Sequence, residues 1–92
     1  MSKKIQVNII YKGSVQGIGF RFTVERVALN YGVVGWVKNL TNGDVEVVAQ
    51  ADEETINSFL NTVRGYFLRY IVDEVTKTTE PATQFKDFQI RF

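Results

Sequence analysis

The chain has no cysteine and no histidine, a single proline, and no unbroken apolar run near the ~20 residues that cross a bilayer. Without cysteine or histidine it cannot build a zinc, haem or iron–sulfur site of the usual kind. A Ser-His-Asp or Cys-His nucleophile system is excluded on the same ground, as is a copper chaperone that carries its ion on thiolates. No disulfide argues for secretion, and Met1-Ser2-Lys3-Lys4 leads into an alternating strand rather than an apolar signal core, so the expected compartment is the cytoplasm. A surplus of one charge is lacking too. Eleven Lys and Arg stand against ten Asp and Glu, a net charge of +1, which gives no general attraction to nucleic acid or to an anionic membrane. Any anion must therefore be held locally.

What is present is enough for one domain of 92 residues with a modest core. Ile5, Val7, Ile9 and Tyr11 alternate with Gln6, Asn8 and Ile10, the period of a strand buried on one face. Phe20, Val24, Val27, Ala28 and Tyr31 then recur with a helical period, and Gly32 suits the left-handed cap that ends such a helix. Two β-rich runs, 33–39 and 44–50, flank Asn42-Gly43, a strong hairpin signal. Asp52 stands as N-cap before Glu53 and Glu54, with Ile56, Phe59, Leu60 and Val63 forming the apolar face of a second helix expected to stop at Gly65. Val24, Val27, Phe59, Leu60 and Val63 are expected in the core. A fourth strand lies within 66–75, most of it from Tyr70 onward, Glu80-Pro81 breaks the chain, and Phe85, Phe88, Ile90 and Phe92 mark a short last strand. The order βαββαβ with right-handed crossovers predicts an α+β two-layer sandwich, ferredoxin-like, with an antiparallel sheet and both helices on one face.

Between the first strand and the first helix lies Gly13-Ser14-Val15-Gln16-Gly17-Ile18-Gly19-Phe20-Arg21. Closely spaced glycines let successive N–H groups turn toward one point, and the positive end of the helix adds to the same spot. A phosphate suits such a cradle, and the planar fork of Arg21 can hold two of its oxygens. The same spacing also occurs in plain strand-to-helix turns with a surface arginine. A P-loop is excluded because the Lys-Ser/Thr ending is missing, and the glycines lack the dinucleotide-binding spacing. A second cluster, Gly35-Trp36-Val37-Lys38-Asn39, closes the second strand. On its own Asn39 reads as turn chemistry and Trp36 as a half-buried or core aromatic.

Taken together, Gly13-x-Val15-Gln16-Gly17-Ile18-Gly19-Phe20-Arg21 and Gly35-Trp36-Val37-x-Asn39-x-x-x-Gly43-x-Val45-Glu46 resemble the acylphosphatase family. The resemblance covers nearly the whole chain and is looser after Gly65, where Val72-Asp73-x-x-Val75 and Phe88-x-Ile90-Arg91 carry it. It implies hydrolysis of the carboxyl–phosphate bond of small acylphosphates, with inorganic phosphate as product and no metal or organic cofactor. By the same resemblance Ser14, Val15, Gln16, Gly17, Ile18 and Gly19 wrap the phosphate, Arg21 binds its oxygens, and Asn39 orients the attacking water. The expected partner is a small molecule, neither nucleic acid nor membrane, and the protein is expected to act as a monomer. Two departures stand out: Ser14 where relatives are often basic or bulky, and Gly65-Tyr66-Phe67-Leu68-Arg69 in place of a proline-containing turn. A phosphate-recognising binding module without turnover is the alternative reading. RNA binding is disfavoured because Asp44-Val45-Glu46-Val47-Val48 supplies neither aromatic nor base to a central strand.

Overall fold

Strict alternation makes the first strand long enough to serve as a spine. In the computed structural model, which describes residues 3–92, β1 spans Lys4–Gly13 and is followed by α1 (Phe20–Tyr31), β2 (Val34–Asn39), β3 (Val45–Asp52), α2 (Glu53–Tyr66), β4 (Ile71–Thr79) and β5 (Phe88–Arg91). The sheet order is β4-β1-β3-β2-β5. β1 is antiparallel both to β3, from Lys4↔Asp52 to Tyr11↔Val45, and to β4, from Gln6↔Thr79 to Gly13↔Ile71. β2 is antiparallel to β3 through Val34↔Gln50 to Asn39↔Val45. The first four strands thus form two interleaved split βαβ units, and both helices pack against the sheet.

The last strand departs from the antiparallel expectation, because β5 runs parallel to β2, from Gly35↔Phe88 to Lys38↔Arg91. The registers supply the reason. β4 finishes at Thr79, beside Gln6, which faces Gln50, which faces Val34 at the start of β2. Residues 80–87 cross the sheet at that end, so β5 enters beside the beginning of β2 and must run in its direction. The crossing is anchored on Gln50, only 1% exposed. Its amide nitrogen donates to Gln6 Oε1 at 2.8 Å and to the Thr83 carbonyl, and its oxygen accepts the Phe85 N–H at 3.4 Å. A buried amide with both ends satisfied costs little and fixes the strap in place.

Between sheet and helices the core collects Val7, Ile9 and Tyr11 from β1, Val45 and Val47 from β3, Val24 and Val27 from α1, and Ile56, Phe59 and Val63 from α2. Leu60 and Tyr31 lie at its margin: Leu60 is partly buried, and Tyr31 is exposed, its hydroxyl 2.8 Å from Thr62 Oγ1 on the neighbouring helix. α1 ends as expected at Gly32, in the left-handed region with φ 72° and its N–H on the carbonyls of Ala28 and Leu29. α2 does not stop at Gly65. It continues to Tyr66 and closes on Phe67, whose N–H donates to the Arg64 carbonyl. This ending carries the Phe67 ring into the core, where it lies 4.6 Å from the Phe20 ring, and leaves Tyr66 and Leu68 exposed. β4 likewise runs on to Thr79, four residues past Val75, because β1 offers it partners as far as Gln6.

Candidate functional site

The loop 14–19 leaves β1 at a point where backbone meets backbone. Gly13 has φ 126°, and a side chain there would collide with the Tyr70 carbonyl, which instead accepts the Ser14 N–H at 3.0 Å. From there the chain turns through Gly17 and Gly19, both at φ 78°, a region that L side chains rarely adopt. Gly19 is the N-cap of α1 and offers no side chain to the helix. The N–H groups of Val15, Gln16, Gly17, Ile18 and Gly19 find no acceptor among the described residues. In α1, Thr23 donates back to the Gly19 carbonyl and the first turn contains no acidic residue, so the positive end of the helix faces the same loop uncompensated.

Three of these residues, Val15, Gly17 and Gly19, line a pocket of about 250 Å³ together with Phe20, Arg21, Phe22 and Asn39. Val15 is fully buried and Phe20 nearly so, and they form its floor. The floor is stiffened from below: the Tyr11 ring meets Phe20 edge-on at 5.1 Å, and Phe67 closes the stack. Tyr11 keeps a buried hydroxyl without a partner among the described residues. Burial pushes its ionisation well above the usual phenol range, the Glu74 carboxylate adds to this, and Arg64, joined to Glu74 at 2.8 and 3.0 Å, partly offsets it.

Arg21 and Asn39 come from different elements and meet at this pocket. Arg21, on the first turn of α1, is half-buried, donates from Nη1 to the Arg91 carbonyl at 3.3 Å, and lies 4.8 Å from the Phe92 ring centre. Those contacts brace one side of the guanidinium, which has further N–H donors for a ligand. Asn39 ends β2, and its buried Oδ1 has no hydrogen-bond partner among the described residues. A buried acceptor left open is costly unless something outside the fold completes it.

The other residues expected at the site divide. Val15, Gly17 and Gly19 line the pocket. Ser14 does not, and its N–H is committed to Tyr70. The Gln16 side chain turns away to donate to the carbonyls of Leu40 at 2.7 Å and Asp44 at 2.8 Å, tying the loop to the β2–β3 turn just beyond Asn39. That cross-tie joins segments 24 and 28 residues apart, and nothing in the local sequence announces it. Ile18, between the two lining glycines, is exposed at 38%. Phe22 lines the pocket although it was not among the expected residues. Its signal was available: it is a large aromatic lying off the apolar stripe of its own helix. Trp36 is half-buried, with the Arg91 guanidinium 4.7 Å over its ring. Among the described residues no three acidic side chains cluster as a metal site would require.

Fold and pocket together define a ferredoxin-like domain in which a glycine-bearing strand-to-helix loop, an arginine and an asparagine line one pocket. The sequence profile of the acylphosphatase family matches residues 7–90. The acylphosphatase of Leuconostoc mesenteroides is 38% identical over 92 residues, covering 97% of this chain and 98% of its own length. The crystal structure of acylphosphatase from Bacillus subtilis superimposes with a TM-score of 0.87 at 30% identity, covering 96% of this chain and 99% of that one. The acylphosphatase of Coxiella burnetii gives a TM-score of 0.83 at 26% identity, over 97% and 94% of the two chains. The chain belongs to the acylphosphatase family.

Proposed function

We propose that this protein hydrolyses the carboxyl–phosphate bond of small acylphosphates to a carboxylate and inorganic phosphate. The observation that carries the reading is the convergence, in one pocket, of unpaired loop N–H groups, Arg21 and the open Oδ1 of Asn39. In the reaction as proposed, the N–H groups of the loop and of the α1 start, with Arg21, bind the three peripheral oxygens of the phosphoryl group. A water donates one hydrogen bond to Asn39 Oδ1, which holds it in line with the bond to be broken. The water oxygen bonds to phosphorus as the bond to the acyl oxygen breaks, and the electron pair leaves with the carboxylate. The proton released by the water passes to a phosphoryl oxygen. A carboxylate is a good leaving group, so positioning and charge stabilisation suffice and no strong protein base is needed. An amide serves better than a carboxylate at position 39, because a negative charge there would repel the phosphate. The cysteine-free composition fits a cytoplasmic protein, family membership fits a small-molecule substrate, and we expect the protein to act as a monomer.

The test is hydrolysis of benzoyl phosphate by the wild-type protein in a chelator-containing buffer, beside Arg21→Ala and Asn39→Ala. Arg21→Ala is expected to lower kcat/KM by about 10²–10³, and Asn39→Ala by about 10² while inorganic phosphate still inhibits. A wild type no faster than buffer, or full activity in Arg21→Ala, refutes the proposal. Phosphate binding without turnover of any acylphosphate would make the protein a binding module instead.

A further inference from the structure

In-line displacement places the leaving oxygen on the far side of phosphorus from the water held by Asn39, so the acyl group must leave the cradle through the pocket mouth. Of the apolar side chains lining the pocket, Val15 and Phe20 form the buried floor. Phe22 is the remaining one, and it is 71% exposed. Ile18 stands exposed between Gly17 and Gly19, and the 93%-exposed Phe92 ring lies on the Arg21 guanidinium, so the polar cradle has an apolar rim. Neither α1 packing nor a hydrogen bond calls for an aromatic at position 22, since the buried face of the helix is Phe20, Val24, Val27 and Ala28.

We propose that Phe22 is a specificity-determining residue: its ring receives the acyl portion of the substrate and makes the enzyme selective for aromatic or bulky apolar acylphosphates over acetyl phosphate. The inference rests on the hydrolase reading above and deepens it. Acetyl leaves the Phe22 ring uncovered, whereas a benzoyl ring covers it and removes apolar surface of both partners from water. Because Phe22 is open on its outer side, the expected discrimination is at the low end of what an apolar contact yields, about tenfold. The contact acts on the bound acyl group and leaves the phosphoryl group to the cradle.

The experiment compares kcat/KM for benzoyl and acetyl phosphate in wild type, Phe22→Ala and Phe22→Leu, with the inhibition constant of inorganic phosphate measured in each. Comparing the ratio of the two kcat/KM values between wild type and variant cancels the intrinsic reactivity of the substrates. It is expected to fall about tenfold in Phe22→Ala and less in Phe22→Leu, with phosphate inhibition held. An unchanged ratio overturns the inference. So does a parallel loss on both substrates with weakened phosphate inhibition, which would make Phe22 a support for the loop. A wild type inactive on both substrates refutes the hydrolase reading itself, a different result from an active enzyme whose ratio ignores Phe22.

Discussion

α2 begins at Asp52, whose carboxylate accepts the Thr55 N–H at 2.7 Å, and Glu53 and Glu54 fill its first turn. α1 begins at Gly19, which has no side chain to offer, and its first turn holds an arginine and no acid. The two helices occupy equivalent places in two interleaved βαβ units, lie on the same face of one sheet, and differ in how their free N–H groups are met. At α2 the chain supplies the negative charge itself, so nothing is left for a ligand and the junction needs no loop. At α1 six residues of loop separate strand from helix, and the N–H groups stay open. One end is built to hold the fold; the other, on the function proposed above, is left open for an anion.

The sharpest way to break the contrast is to give α1 what α2 has. Gly19→Asp and Gly19→Asn share the cost of a side chain at φ 78° and differ only in charge. The aspartate variant is expected to bind inorganic phosphate, read as its inhibition constant, about 100-fold more weakly than the asparagine variant, with the gap narrowing as salt is added. Equal constants would mean that the charge at the helix start is not what holds the anion.

The reverse change acts on stability alone. Asp52→Ala is expected to lower Tm by roughly 4–8 °C with kcat/KM retained. Hydrogen bonding to Thr55, through its side chain first and its backbone second, holds the Asp52 carboxyl below its usual range. The carboxylate therefore stabilises the fold above the ordinary aspartate value and loses that effect as pH falls through the lowered one. The Tm difference between wild type and Asp52→Ala is then expected to shrink below about pH 4. A difference independent of pH would remove the carboxylate from the account.

An effect of similar size and opposite sign lies beneath α1. Tyr11→Phe removes a buried hydroxyl that has no partner and is expected to raise stability by about 1 kcal/mol, read by denaturant unfolding. Burial raises the Tyr11 ionisation, so its contribution is constant below the ordinary phenol value. Above about pH 10 it falls, because the unfolded chain ionises first. The phenylalanine variant should accordingly lose less stability than wild type between pH 10 and 11. If it is instead less stable at neutral pH, the hydroxyl has a partner in solution.

What could be read from the chain followed the range of each interaction. Gly32, the Asn42-Gly43 turn and Asp52 act on neighbours within a few residues, and each appears where its local chemistry put it. Arg21 and Asn39 were legible as a pair only because two spaced motifs flagged them together. Gly65 misled because a glycine inside a helix is tolerated, and the need to bury Phe67 outweighed its preference for a cap. The Gln16 cross-tie, the Gln50 anchor and the parallel setting of β5 depend on partners 24 to 53 residues away, and no local pattern encodes them. Ser14 is instructive in the same way: its N–H looked available until the α2–β4 turn brought the Tyr70 carbonyl to it.

The strap over Gln50 also sets an order of events. β5 cannot be laid beside β2 until residues 80–87 have crossed the sheet, and the Arg91 carbonyl and the Phe92 ring that brace Arg21 arrive only with it. A chain emerging from the ribosome N-terminus first therefore displays its glycine loop and arginine long before the arginine is steadied. On the proposed site, turnover then depends on a brace that the other four strands do without, which makes it a stricter gauge of finished folding than sheet content.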